Sequence, residues 1–370
     1  MPKINPPFRA EQVGSFLRPK ALLAARDKYK SGTIGKEELR SIEDEHIRKL
    51  VVQEEKAGLK SITDGEFRRY FFHTDFLEQL EGVTVTGAIE ASSDAKEKVG
   101  FTPPKLSVTG KLRHVKDIQV DDFNFLKSLT KETPKVAIPS PTMVHFRGGR
   151  KEIDIKAYPN LDEFFDDLAQ CYRDEIAALY KAGCRYIQLD DTNLAYLCDP
   201  KMREGAIKRG DDPDELPHTY ASLINSALEG RPKDLLVGIH LCRGNFRSAW
   251  FAEGSYEPVA EVLFKKLDVD TYFLEYDDER SGDFKPLRFV PEDKTVVLGL
   301  VTSKRPELES KDSIITRIKE ASKYVPLSRL CVSPQCGFSS TVHGNALTEE
   351  EEWAKVKLVV DIAREVWDDT

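Results

Sequence analysis

Eight short apolar runs, with helical segments between them, constrain this chain more than any other feature. The runs are QVGSF at 12–16, LKSIT at 59–63, KVAIPS at 135–140, RYIQLD at 185–190, LLVGIHL at 235–241, DTYFLE at 270–275, TVVLGLV at 295–301 and RLCVSP at 329–334. Between them lie amphipathic candidates: LDEFFDDLAQCYRDEIAALYKAG at 161–183, YEPVAEVLFKKL at 256–267 and KDSIITRIKEASKYV at 311–325. Parallel strands need a long crossover, usually a helix, so strand alternating with helix describes a parallel sheet. Eight such units predict an α/β fold of the (β/α)8 TIM-barrel type, with a doubly wound open sheet as the competing architecture. No low-complexity linker divides the 370 residues, so 1–370 is read as one domain.

Two stretches exceed a minimal barrel. GVTVTGAIEA and KLSVTGKLRHV, within 80–118, predict an inserted β-hairpin lying over one mouth of the barrel. The charged segment 199–220, DPKMREGAIKRGDDPDELPHTY, is expected to be a long loop after the fourth strand, where barrel enzymes place substrate contacts.

Composition narrows the partners. A net charge of −8 argues against nucleic acid, which calls for a basic face, and points to small molecules. The N-terminal MPKINPPFRAEQ lacks the pattern of a secretory signal, and no stretch approaches the roughly 18 apolar residues of a membrane span. Six cysteines in so long a chain are no disulfide framework. A cytoplasmic setting is therefore expected, in which the thiols stay free for a metal.

In a barrel the reacting groups gather at the C-terminal ends of the strands. Ser15 follows the first run, Asp64 and Glu66 the second, Asp190 and Asp191 close the fourth, and Ser303 and Lys304 follow the seventh. His240 and Cys242 close the fifth run, Glu275 the sixth, and Cys336 follows the eighth. Imidazole, two thiolates and a carboxylate suit Zn²⁺, and ligands scattered over three strands differ from the close CxxC pairs of a structural knuckle. A zinc with two thiolates is electron-rich and better suited to holding a third thiolate than to polarising water. The chemistry that follows is S-alkylation of a substrate thiol. Glu66 and Asp190 suit the ammonium of an amino-acid thiol, and Arg18 or backbone N–H groups near Ser15 suit its carboxylate. His73 and His145, which follow the second and third runs, are further candidates for substrate contact, whereas His114 and the acidic run Asp277–Glu279 read as solvated.

The motifs VGSFLRP at 13–19, ITDGE at 62–66, IQLDD at 187–191, HLC at 240–242, Glu275 and PQCG at 334–337 together resemble the catalytic half of the cobalamin-independent methionine synthases. The resemblance covers nearly the whole chain. It implies a (β/α)8 barrel, zinc held at His240, Cys242, Glu275 and Cys336, and homocysteine held at Ser15, Glu66 and Asp190. It also implies a methyl donor, a methyl-folate in the full-length family enzyme, which shares its folate site with a second, N-terminal barrel. This sequence carries one barrel. Where the family has a proton-donating histidine in an IHSP motif, SKRP here places Lys304. The leading expectation is zinc-dependent methyl transfer to homocysteine, giving methionine. The alternatives are zinc-dependent alkyl transfer to another small thiol, as in epoxyalkane:coenzyme M transferases, and a non-catalytic barrel that binds metal or thiol.

Overall fold

The computed structural model describes residues 6–88 and 104–369. Six strands form one parallel sheet in the order β10-β9-β8-β7-β6-β5. They are β5 (Val136–Pro139), β6 (Tyr186–Asp191), β7 (Leu236–Leu241), β8 (Thr271–Glu275), β9 (Thr295–Val301) and β10 (Leu330–Pro334). Nearly every residue in them is buried, as expected of a sheet covered on both faces. The crossovers include helices Leu161–Ala182, Glu257–Lys266 and Lys311–Ala321, close to the sequence expectation. The first of these starts where the Asn160 side chain accepts from the Asp162 N–H at 2.9 Å and stops at Gly183, whose φ of 105° only glycine adopts freely.

Two of the eight predicted strands differ. At 59–63 only β1 (Ser61–Ile62) forms, paired in parallel with β4 (Thr133–Pro134), and the chain then runs from β4 into β5. At 12–16 there is no strand, and contact with β10 is a single bridge one step earlier, between Ala10 and Val332. Gly14, at φ 135°, bends the chain out of strand geometry. Isolated backbone hydrogen bonds, such as the Glu11 N–H to Val332 O at 2.9 Å, and side chains hold this segment. Glu11, fully buried, accepts from Ser61 Oγ at 2.7 Å and Tyr186 OH at 2.9 Å and pairs with Lys135 at 3.1 Å.

The expected ribbon at 80–118 contains β2 (Glu81–Ala88) and β3 (Pro104–Arg113), paired antiparallel; the stretch between them lies outside the described residues. The segment 199–220 is largely helical rather than a loop, with helices at Pro200–Arg209 and Leu216–Leu228. Asp199 caps the Lys201 N–H at 2.8 Å, Pro200 occupies the first helical turn, and Gly210 at φ 92° ends the first helix. Those local signals outweigh the charge density that suggested a loop. Among the described residues no helix is long and apolar enough to cross a membrane.

Candidate metal and thiol site

His240 and Cys242 are two residues apart at the end of β7, so the period of two puts both side chains on one face. The β7/β8 register pairs Leu241 with Leu274, which brings Glu275 alongside Cys242. Cys336 arrives from the turn after β10, where the Gln335 N–H donates to Val301 O at 2.8 Å. The ligand atoms of these four buried residues lie within 4.8 Å of one another. The two sulfurs are 3.5 Å apart, too far for a disulfide at about 2.05 Å and near the roughly 3.8 Å that two Zn–S bonds of about 2.3 Å give in a tetrahedron.

The electrostatics of the cluster call for a cation. The hydrogen bond from Cys242, with the charge of the nearby His240 ring, holds the Cys336 thiol well below its ordinary range, while that same bond and burial push Cys242 well above its own. Burial works against charging His240, yet Cys336, Asp190 and Glu275 hold its pKa above the usual value. Burial raises Glu275, and Lys304 offsets part of the effect. Neither ring nitrogen of His240 has a hydrogen-bond partner within the described residues, although the side chain is buried. A buried imidazole without a partner, two thiols in contact and a buried carboxylate beside them fit a divalent zinc, which would satisfy all four.

Around the four ligands lies a supporting shell. Arg280 donates to Glu275 Oε2 at 3.1 Å and pairs with Asp277 at 2.9 Å, while the Arg243 N–H donates to Glu275 Oε1 at 3.1 Å. Asp277 is therefore half-buried, with its side chain enclosed and paired rather than solvated. Lys304 is buried, its Nζ 3.9 Å from Glu275 Oε2 with no hydrogen bond. Asn245 donates to Gly337 O at 2.7 Å, joining the loop after Cys242 to the loop after Cys336.

A small cavity of about 30 Å³ opens on His240, Cys242 and Cys336, and Ser15, Glu66, His73 and Asp190 also line it. That is room for a couple of waters, with Phe72 and Phe246 among its walls. Burial raises the Glu66 carboxyl to about 7, with Arg69 opposing and Asp190 adding to the rise. Burial likewise lifts Asp190 to about 6, against the pull of His240 and a hydrogen bond from Gln188. Glu66 Oε2 accepts no hydrogen bond, and Arg69 stands 3.9 Å from it. Glu66 also has φ 56°, a conformation costing a non-glycine residue about 1 kcal/mol or more; the Asp64 carboxylate holds it by accepting the Glu66 N–H at 2.9 Å. Ser15 is fixed by the other lobe, its Oγ accepting from Ser339 N–H at 3.2 Å and its carbonyl from Phe338 N–H at 2.8 Å.

Two expected substrate contacts lie elsewhere. Arg18 does not line the cavity: its terminal nitrogens donate to the carbonyls of Glu66, Arg69, Ser339 and Thr341, making it a strut between the loops that carry Glu66 and Cys336. A guanidinium so committed has little left for a ligand carboxylate. His145 is also outside the cavity, hydrogen-bonded to Tyr220 OH at 2.9 Å and packed on Phe165. His114, read as solvated, pairs with buried Glu175 at 2.7 Å. Sequence reasoning missed Asn245, Thr192 and Phe246, which line the cavity, and Arg69 and Arg280 behind it. Asn245 and Phe246 carry the one available signal, since they lie within four residues of a strand-end ligand.

The catalytic-domain model of the cobalamin-independent synthases matches residues 8–365. Uncharacterized protein YxjH of Bacillus subtilis is 47% identical over 98% of this chain and 95% of its own length. A solved structure from Listeria monocytogenes, described provisionally as a vitamin-B12-independent methionine synthase, superposes with a TM-score of 0.79 at 41% identity, covering 98% of this chain and 99% of that one. The 5-methyltetrahydropteroyltriglutamate–homocysteine methyltransferase of Bacillus licheniformis is 25% identical over 95% of this chain, which spans 42% of that longer protein. With a family model covering almost every residue, the chain belongs to the cobalamin-independent methionine synthase family, as its catalytic domain.

Proposed function

We propose that the protein is a zinc-dependent methyltransferase that moves a methyl group from a carrier to the thiol of homocysteine, giving methionine. The observation that carries this reading is the convergence of His240, Cys242, Glu275 and Cys336 on one point beside a cavity walled by Glu66 and Asp190. Zn²⁺ held by those four residues supplies a site where an acceptor thiol is kept as a nucleophilic thiolate at neutral pH. Glu66 and Asp190 bind the acceptor's ammonium, with Glu66 Oε2 offering an unused acceptor. Ser15 and the N–H groups of its loop orient the amino-acid end, and His73 lines the same cavity. Lys304 and Arg280, both on Glu275 Oε2, offset the negative charge that two thiolates and a carboxylate bring together. The new S–C bond forms as the carrier–methyl bond breaks; the thiol proton leaves to solvent and the carrier takes the electron pair.

The sheet is read here as a closed (β/α)8 barrel forming one domain, with the β2/β3 ribbon over its mouth. In support, the Ala10–Val332 bridge extends one edge of the six-stranded sheet, and the β1/β4 pair leads into the other.

The test is zinc content of the purified protein followed by methionine formation from homocysteine with a panel of methyl donors. Expected are one zinc per chain, lost in Cys242→Ser and Cys336→Ser, and methionine from at least one donor. Zinc without methionine formation, but with alkylation of a sulfonate thiol such as coenzyme M, would move the assignment to the rival acceptor. No zinc would overturn the metal reading.

A further inference from the structure

We infer that Gln188 and Lys135 are positioning residues for the acceptor's amino group, acting through the Asp190 carboxylate that they hold from within the sheet. Gln188 and Asp190 are two residues apart on β6, so both side chains leave the same face of the strand. Asp190 lines the thiol cavity, whereas Gln188 is fully buried one step deeper. Gln188 Nε2 donates to Asp190 Oδ1 at 2.7 Å and to Val13 O at 2.5 Å, which commits both amide hydrogens. With Oδ1 occupied, Oδ2 is the oxygen left for a ligand ammonium.

The two ends of a carboxamide have nearly the same shape, so a neighbour must decide which of them faces Asp190. Lys135 decides it. Its Nζ donates to Gln188 Oε1 at 3.2 Å, to Glu11 Oε2 at 3.1 Å and to the Gln12 carbonyl, which uses all three protons. Turning the amide over would aim its NH2 at an ammonium and its carbonyl at a carboxylate, two repulsions at once. Glu11 is fixed in turn by the Phe8 N–H at 3.0 Å and by the hydroxyls of Ser61 and Tyr186. Glu11, Lys135 and Gln188 are each at most 1% exposed, so water does not compete for these bonds and each is strengthened by its dry surroundings. A buried ion pair adds little net stability over an apolar pair of similar volume, so what Lys135 and Glu11 contribute is direction. A saturated chain therefore runs from Glu11 through Lys135 and Gln188 to the wall of the thiol cavity.

This inference rests on the proposed amino-acid thiol as acceptor, and its test separates the two. The zinc-loaded full-length protein is titrated calorimetrically with homocysteine and with 4-mercaptobutanoate, which keeps the thiol and the carboxylate but lacks the ammonium. The variants are Gln188→Met and Glu11→Gln/Lys135→Met; the second removes both charges of the pair and so strands neither. Both are expected to keep the parental zinc content, to lose affinity for homocysteine about tenfold and to lose about twofold or less for 4-mercaptobutanoate. In an Asp190→Asn background, Gln188→Met is expected to cost homocysteine nothing more, since the two residues act as one unit. If Gln188→Met fails to fold, the Glu11→Gln/Lys135→Met protein decides alone. Parental homocysteine affinity in the variants, equal losses for the two thiols, or a further loss in the Asp190→Asn background overturns the inference and leaves the homocysteine reading intact. A parent protein that binds homocysteine no tighter than 4-mercaptobutanoate rejects the amino-acid acceptor, and the inference with it.

Discussion

At the residue scale, Glu66 shows how burial is turned to use. Desolvation and the nearby Asp190 raise its carboxyl to about 7 despite Arg69. In the free protein it is neutral below that pH and ionised above it, and an ammonium binds the ionised form. Affinity for methionine, which has no titrating thiol, should therefore rise about tenfold per pH unit below 7 and level off above it. Titration calorimetry between pH 5.5 and 8 checks this, and a flat profile would contradict it. Glu66→Gln should remove the slope between about pH 6 and 7, leaving only that of Asp190 below about 6, and weaken acceptor binding roughly 10- to 100-fold, the worth of a charge-assisted hydrogen bond. Arg280 acts one layer out, by orienting Glu275. Replacing it, as in Arg280→Met, should lower zinc affinity about 10- to 100-fold in competition with a chromophoric chelator. Unchanged affinity would mean that Arg280 serves only Asp277 and its own loop.

At the element scale, the site depends on two loops touching. A Cβ at Gly337 would sit 2.0 Å from Ser15 Oγ, so the glycine after Cys336 is what lets the Ser15 loop close on the metal loop. Gly337→Ala should leave the sheet intact, with unchanged far-ultraviolet circular dichroism, and cut turnover about 100-fold through misplacement of the acceptor. Parental turnover would show that the close approach has no role. Six strands were legible in the sequence because strands buried on both faces read as continuous apolar runs ending in polar groups. QVGSF at 12–16 misled for the same reason. Its Val13 and Phe16 are buried, but backbone pairing with β10 ends at the Glu11 N–H on Val332 O, Gln12 binds through its side chain to Ser61 O, and Gly14 turns the chain. The helix at Pro200–Arg209 was hidden by its charge, although Asp199, Pro200 and Gly210 spell its ends.

At the scale of the whole molecule, the convergence of His240, Cys242, Glu275 and Cys336 was legible because each ends or follows a strand and parallel strands bring their ends to one side. Arg69 and Arg280 were not, since their places behind the cavity depend on how loops fold back over the sheet. Arg18 and His145 were misplaced for that reason: both follow strand-like runs, yet one braces loops and the other packs against Tyr220. A metal held by His240, Cys242, Glu275 and Cys336 would also bear on the stability of the fold, because these residues lie in β7, in β8 and just past the ends of β7 and β10. Chelating the zinc should lower Tm by several degrees, read by differential scanning fluorimetry, and adding zinc back should restore it. An unchanged Tm would separate the cluster from the fold's stability.

The central claim is that these four residues hold one zinc that accepts the substrate's sulfur. X-ray absorption at the zinc edge, without and with homocysteine, tests it directly. The account predicts two sulfur ligands at about 2.3 Å in the resting protein and a third on adding homocysteine. A sulfur count that stays at two with saturating homocysteine, or a zinc with no sulfur ligands at all, would contradict it.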